Sequence, residues 1–180
     1  MKKKFKLDKS QGIFFWIEGY SGSGKSTIGK NIFKYVNQRF GKTILIHGND
    51  IRKLLNLKGF TKKDRISNSY KSSELIRFLL LNKINVIYTT VCLNNVAREI
   101  YKKKSKNFLN ILVNSNIKKI INKKKKKKIY LLKNNIIGIH IKPEFPKKKV
   151  IVIKNNFNED LKIISKKLIK KISDINFLKK

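Results

Sequence analysis

Residues 18–27, Glu18-Gly19-Tyr20-Ser21-Gly22-Ser23-Gly24-Lys25-Ser26-Thr27, constrain this chain more than any other stretch. They are too polar for a core and too glycine-rich for a helix interior. The run Ile13 to Ile17 before them is continuously apolar and reads as a strand buried on both faces. After them Ile28, Ile32, Tyr35, Val36 and Phe40 recur at helical spacing, and Gly41 supplies a stop. A strand, then G-x-x-x-x-G-K-[ST], then a helix is the phosphate-loop arrangement. Glycines let backbone N–H groups curl around phosphate oxygens without Cβ clashes, and the helix N-terminus adds partial positive charge. Gly19, Tyr20, Ser21, Gly22, Ser23, Gly24, Lys25, Ser26 and Thr27 are therefore expected to hold a nucleoside triphosphate. Lys25 should reach the β/γ-phosphates as a catalytic cation, and Ser26 should ligate Mg²⁺.

Further along, strand and helix patterns alternate. Residues 42–48, 84–90, 108–114 and 149–153 read as strands. Residues 49–56, 62–82, 94–106 and 117–124 read as helices, and 157–172 as a closing amphipathic helix. That last helix is expected to have Asn158 or Asn156 near its N-cap, with Glu159 and Asp160 in its first turn. The order implies an α/β P-loop NTPase fold, a parallel β-sheet flanked by helices on both faces. One domain over residues 12–175 is expected, between basic tails at 1–11 and 176–180. The run Lys123 to Lys128 has no apolar face and should be solvated.

Charge is the extreme feature of composition: 45 basic residues against 10 acidic, a formal charge of +35. That invites a nucleic acid or an anionic membrane as partner. Nearly all the cations are lysine, however, while Ile and Asn abound and Ala97 is the sole alanine. Those residue types follow A/T-rich codons, so much of the charge reflects composition drift. Arg39, Arg52, Arg65, Arg77 and Arg98 are the more informative cations. The lysines are spread along the chain, with no aromatic-basic motif for reading nucleic acid, so no specific nucleic-acid partner is expected. Cys92 is the sole cysteine, which excludes an intrachain disulfide and a cysteine-rich zinc site. No apolar run reaches membrane-spanning length, so no membrane partner and a cytoplasmic location are expected.

No apolar strand ends in the carboxylate of a motor ATPase, and no NKxD motif marks a GTPase. A small chain with a phosphate loop then favours a small-molecule or nucleotide kinase. Three further segments, in order, are Ile46-His47-Gly48-Asn49-Asp50-Ile51-Arg52, then 59–68 (GFTKKDRISN), then 138–146 (GIHIKPEFP). Together with the phosphate loop they resemble the adenylylsulfate kinase family, over roughly residues 13–172. The resemblance implies transfer of the γ-phosphoryl group of ATP, with Mg²⁺, to the 3′-hydroxyl of adenylylsulfate. It implies that Arg52, Arg65 and Asn68 hold the acceptor's anionic group and sugar, that Phe60 stacks on its base, and that Ile139 lines the same pocket. Lys127 and Tyr130 match a lid, about 120–142. A homodimer is implied, with sulfurylase activity supplied by another protein.

The chain departs from the family pattern on the acceptor side. The family's two aspartates in its D-G-D segment are His47 and Asn49, and the carboxylate stands one residue later at Asp50. Asp50 is the candidate to orient or deprotonate the attacking hydroxyl, and also a candidate helix cap. The family's S-P-Y-R segment is missing, with Cys92 in place of its serine. A sibling kinase acting on another nucleotide, such as cytidine diphosphoramidate, is the competing reading. A nucleotide-binding protein with little turnover and a basic nucleic-acid-binding module are the remaining ones.

Overall fold

The computed structural model describes residues 4–122, 130–131 and 134–179. Strand β2 (Phe14–Gly19) is flanked on both edges, as its unbroken apolar run requires: Phe14, Phe15, Trp16 and Ile17 are fully buried. Beside it lie β4 (Asn85–Thr90) and β5 (Phe108–Asn114), and outside those β3 (Thr43–His47) and β6 (Val150–Lys154). The order is β3-β4-β2-β5-β6 and every neighbouring pair is parallel.

Period-two alternation splits β2 between two helical layers. Phe15 and Ile17 pack with Ile28, Ile32 and Val36 of α1 (Lys25–Phe40) and with Ile164, Leu168 and Ile172 of α6 (Leu161–Ser173). Phe14 and Trp16 face the other way. They meet Ile76 and Leu80 of α3 (Lys62–Leu81) and Ala97 and Tyr101 of α4 (Asn95–Lys104), with the Trp16 and Tyr101 rings 4.9 Å apart. Each such side chain contributes about 1.5–3 kcal/mol by leaving water. Two short helices, α2 (Gly48–Leu54) and α5 (Ile117–Ile121), sit at the strands' C-terminal edge. In a parallel sheet that edge is where ligands bind.

The first charge after the apolar run, Glu18, stays inside. It is fully buried and paired with Arg98 of α4, Nε to Oε1 at 3.0 Å and a terminal nitrogen to Oε2 at 3.1 Å. The same guanidinium donates to the Glu144 carbonyl at 2.8 Å, and the Glu144 carboxylate takes Lys62 Nζ at 2.7 Å and the Asn95 N–H at 2.8 Å. Burial pushes the Glu18 carboxyl above its ordinary value, against the pull of Arg98.

Two sequence expectations are corrected. The segments read as basic tails contain β1 (Lys4–Leu7) and β7 (Asn176–Lys179), which pair in parallel, Lys4 opposite Asn176. Pairing between chain ends is non-local, and the lysine bias hides the short pattern. The closing helix begins at Leu161 with Asp160 as its N-cap, its carboxylate accepting the Lys162 N–H at 2.7 Å. Asp160 is thus the cap itself rather than a first-turn residue, and Asn158 lies two residues before it. The lysine run 123–128 lies outside the described residues. Among the described residues no helix is long and apolar enough to cross a membrane.

Removing one partner of a buried pair strands the other charge. Arg98→Ala is expected to cost about 3–5 kcal/mol in urea unfolding, whereas the apolar double variant Glu18→Leu/Arg98→Met recovers most of that loss. A single-variant cost below about 1 kcal/mol would show that the pair anchors nothing.

Candidate active site

The loop between β2 and α1 is shaped by backbone conformations that side chains resist. Gly24 has φ +95°, a left-handed conformation that a residue with a Cβ resists, and that Cβ would also lie 2.8 Å from the tip of Leu161 in α6. Its floor is held from outside the motif. Asn155 Nδ2, just past β6, donates to the Ser23 carbonyl at 2.9 Å, and the Tyr130 hydroxyl donates to the Ser21 carbonyl at 2.7 Å. Lys25 Nζ is folded back on the Tyr20 carbonyl at 2.6 Å. Ser23 Oγ is buried without a hydrogen-bond partner. A cradle of positive-φ glycines with an orphaned hydroxyl fits a phosphate group, which would supply the missing acceptor. Ser26 is exposed at the loop's mouth and lines the cleft, so its hydroxyl is free to reach a phosphate-bound metal.

From this loop a cleft of about 840 Å³ runs across the strand ends to the start of α3. Ser21, Lys25 and Ser26 stand at one end, His47 and Asn49 in the middle, and Arg52, Phe60, Arg65 and Asn68 at the other. The structure therefore brings most of the expected residues together. Their roles divide. Arg65 donates to three backbone carbonyls, of Phe60 (2.9 Å), Val91 (2.8 Å) and Asn135 (3.1 Å), tying α3, the end of β4 and the 134–137 segment into one wall. Burial pulls Arg65 below its ordinary value, yet an arginine this far from neutral pH stays charged. Arg52 donates once, to the Gly59 carbonyl at 2.8 Å, and its guanidinium lies 4.1 Å from the Phe60 ring centre. Phe60 is 48% exposed, so it is a rim residue rather than core, and one ring face already carries a cation. Asn68 Nδ2 donates to the Lys58 carbonyl at 2.9 Å, steadying the loop before α3.

Two expected residues, Ile139 and Asp50, are placed elsewhere. Ile139 is 48% exposed, while Ile136 and Ile137 line the cleft and pack on Tyr20. The reversal comes at Gly138 (φ +94°), where a Cβ would sit 2.3 Å from Ile117 Cδ1 and 2.7 Å from Tyr20 Cε1. The Asp50 carboxylate turns back over the first turn of α2 and accepts the His47 N–H at 3.2 Å, and the residue is exposed. It is not part of the cleft lining, which His47, Gly48 and Asn49 provide at that point. Lys127 lies outside the described residues. The cleft's one lining carboxylate, Asp64, is held below its ordinary value by the Thr61 hydroxyl and N–H, as an α3 cap.

Cys92 lines the inner cleft, and burial pushes its thiol up to about 11, so it is no nucleophile. Asn155 and the Glu18–Arg98 pair were not anticipated. A lone glutamate ending an apolar strand was a usable signal for the pair. Nothing local marks Asn155, because its partner lies 132 residues away.

Residues 11–154 match the family model described as adenylylsulphate kinase. The cytidine diphosphoramidate kinase of Campylobacter jejuni subsp. jejuni serotype O:2 is 25% identical over 167 residues, 89% of this chain and 98% of that one. The adenylyl-sulfate kinase of Clostridium kluyveri is 34% identical over 110 residues, 60% of this chain and 55% of that one. In fold, the chain resembles the Mycobacterium tuberculosis APS kinase CysC in complex with AMPPNP and APS, with a TM-score of 0.75 at 18% identity over 91% of this chain and 98% of that one.

The two arginines should separate in experiment. Arg65→Met leaves three carbonyls short of a donor and is expected to lower stability by about 1–3 kcal/mol. Arg52→Ala should cost under about 1 kcal/mol in stability but weaken binding of AMP or CMP roughly tenfold or more, measured by calorimetry. The reverse pattern would exchange their roles.

Proposed function

The chain belongs to the adenylylsulphate kinase family, and from that premise we propose that it transfers the γ-phosphoryl group of ATP to the hydroxyl of a nucleotide acceptor bearing a second anionic group. It is a nucleotide phosphotransferase by family. The observation that carries the reading is one continuous cleft with a phosphate loop at one end and the Arg52–Phe60–Asn68 wall at the other. ATP fits the loop end, its β- and γ-phosphates against the loop N–H groups and Lys25. Mg²⁺ would be held by Ser26 and the phosphates, where it neutralises charge on the transferring group. Lys25 Nζ, which donates to the Tyr20 carbonyl, has further N–H donors for the β/γ-phosphates. The acceptor's anionic group faces Arg52, which offsets repulsion between two polyanions approaching each other. Transfer is in line, and the protein contributes position and fixed charge.

Adenylylsulfate is the first acceptor reading, supported by the GFTKKDRISN stretch whose Arg65 and Asn68 build the acceptor wall. Cytidine diphosphoramidate is the second, supported by the likeness to the Campylobacter jejuni kinase over 98% of that protein; whole-length likeness does not separate the two readings, since the adenylyl-sulfate kinase of Buchnera aphidicola is 27% identical over 98% of this chain. The Phe60 ring already has the guanidinium of Arg52 at 4.1 Å and that of Arg65 at 5.7 Å from its centre, so a base would join two cations there.

The purified chain with ATP, Mg²⁺ and each acceptor in turn tests the proposal by release of ADP and of phosphorylated acceptor. Turnover on one acceptor at least tenfold above the other in kcat/KM assigns the substrate. Lys25→Ala should lower kcat by about 10²-fold or more. Turnover on neither acceptor, with ATP bound, would refute the phosphotransfer reading for both.

A further inference from the structure

A glycine-rich loop has a freedom that its ligand does not share. Gly24 stands at φ +95°, and without a Cβ it takes the mirror-image region about as readily. Turning the Ser23–Gly24 peptide over therefore costs the backbone little. For a bound phosphate the two orientations are opposite in effect. One offers it an N–H, and the other a carbonyl oxygen that repels it. A contact from outside the loop has to choose between them.

Asn155 supplies that contact. It follows the last residue of β6 and is 1% exposed. Its own N–H donates to the Asn114 carbonyl at the end of β5, at 2.9 Å, so its backbone is tied to the sheet. Its Oδ1 accepts the Phe157 N–H at 3.0 Å, which settles which way round the side-chain amide lies. Nδ2 is left to donate, and it meets the Ser23 carbonyl at 2.9 Å. The Ser23–Gly24 peptide is trans, so its N–H points opposite to its carbonyl, away from Asn155. Among the described residues no backbone carbonyl takes that Gly24 N–H. The pattern recurs two residues earlier. The Tyr130 hydroxyl holds the Ser21 carbonyl, and the N–H of that peptide belongs to Gly22, at φ +80°.

We propose that Asn155 is a positioning residue for the bound nucleotide: by holding the Ser23 carbonyl it turns the Gly24 N–H toward the phosphates. The inference rests on the reading of this loop as the ATP end of the cleft. It also gives a reason for asparagine at this position. One short side chain must accept from the turn at Phe157 and donate to the loop. Aspartate keeps the acceptor and lacks the donor. Serine keeps a short acceptor for the turn, but its oxygen stops one bond short of the Ser23 carbonyl. Alanine has neither group.

ADP with Mg²⁺ is the probe, because it fills the loop end without an acceptor. In calorimetry on the full chain, Asn155→Ala, Asn155→Asp and Asn155→Ser are each expected to bind ADP about fivefold or more weakly than wild type, the loss of one well-aimed bond to phosphate. The aspartate and serine variants separate the two bonds of Asn155, since both keep the turn and only one adds a charge. A smaller loss in any of the three leaves the turn, or the charge, as the whole effect and overturns the proposal.

A second readout needs no variant and sees the peptide itself. The chain has nine glycines, so ¹⁵N-glycine labelling gives a sparse amide spectrum in which Gly24 is assignable. Saturating wild type with ADP and Mg²⁺ should move the Gly24 amide proton downfield, as an N–H that donates to phosphate does, while Gly41 at the far end of α1 stays in place. An unmoved Gly24 signal with ADP bound overturns the proposal, whether or not the variants fold. Wild type that binds no ADP refutes the nucleotide reading and the proposal together, whereas wild-type binding with unaffected variants refutes the proposal alone.

Discussion

The buried pair of Glu18 and Arg98 joins the parts of this molecule that must keep their spacing. Glu18 is the last residue of β2 before the phosphate loop's first glycine, and it is removed from solvent. Such a charge survives only with a partner of good geometry, and Arg98 provides two bonds to it. The same arginine reaches the Glu144 carbonyl, and Glu144 reaches Lys62 at the start of α3. One network therefore links the floor of the phosphate loop, α4, the 142–147 segment and the head of the helix that carries Arg65 and Asn68. Both ends of the cleft are referred to a common anchor.

That rigidity suits a reaction between two anionic nucleotides. Phosphoryl transfer asks little covalent chemistry of the protein and much positioning. The division of labour between the two wall arginines follows the same logic. Arg65 is built into the wall by three carbonyls, and Arg52 stands at its surface with a guanidinium resting on Phe60. A strut and a contact can be the same residue type because five N–H donors in a fixed fork serve either purpose.

The chain's unusual charge has a modest place in this picture. Several lysines satisfy nearby carboxylates on the surface, such as Lys104 with Glu74 and Lys167 with Glu159. Exposed pairs of that kind contribute little to stability. Lys25, buried in the phosphate loop, Lys62, at the Glu144 junction, and Lys171, which donates to the Val152 carbonyl of β6 at 2.8 Å, are among the lysines whose position the fold uses.

Much of the fold was legible from residues 13–41 alone. An apolar run, a glycine-rich turn and a 3.6-residue period are local patterns, and local patterns survive without knowledge of the rest of the chain. The ends of α1, α3 and β5 follow for the same reason. The phosphate loop's residues were legible too, because each is required by backbone geometry at its own position. What the sequence could not decide was which way side chains beyond the loop turn. Asp50 had two roles open to it, and it took the α2 cap, its carboxylate accepting the His47 N–H three residues behind. Ile139 lost its place to Ile136 and Ile137 through a turn at Gly138. Asn155 and Tyr130 gained roles through partners far away in sequence. Sequence by itself determined the elements of the five-stranded sheet and its helices and the glycine-rich loop between β2 and α1, since these depend on short-range periodicity and backbone freedom, whereas the terminal strands β1 and β7 were not legible. Tertiary structure alone decided which groups line the cleft beyond the loop, since that depends on contacts between strands and loops that are neighbours only after the sheet has formed.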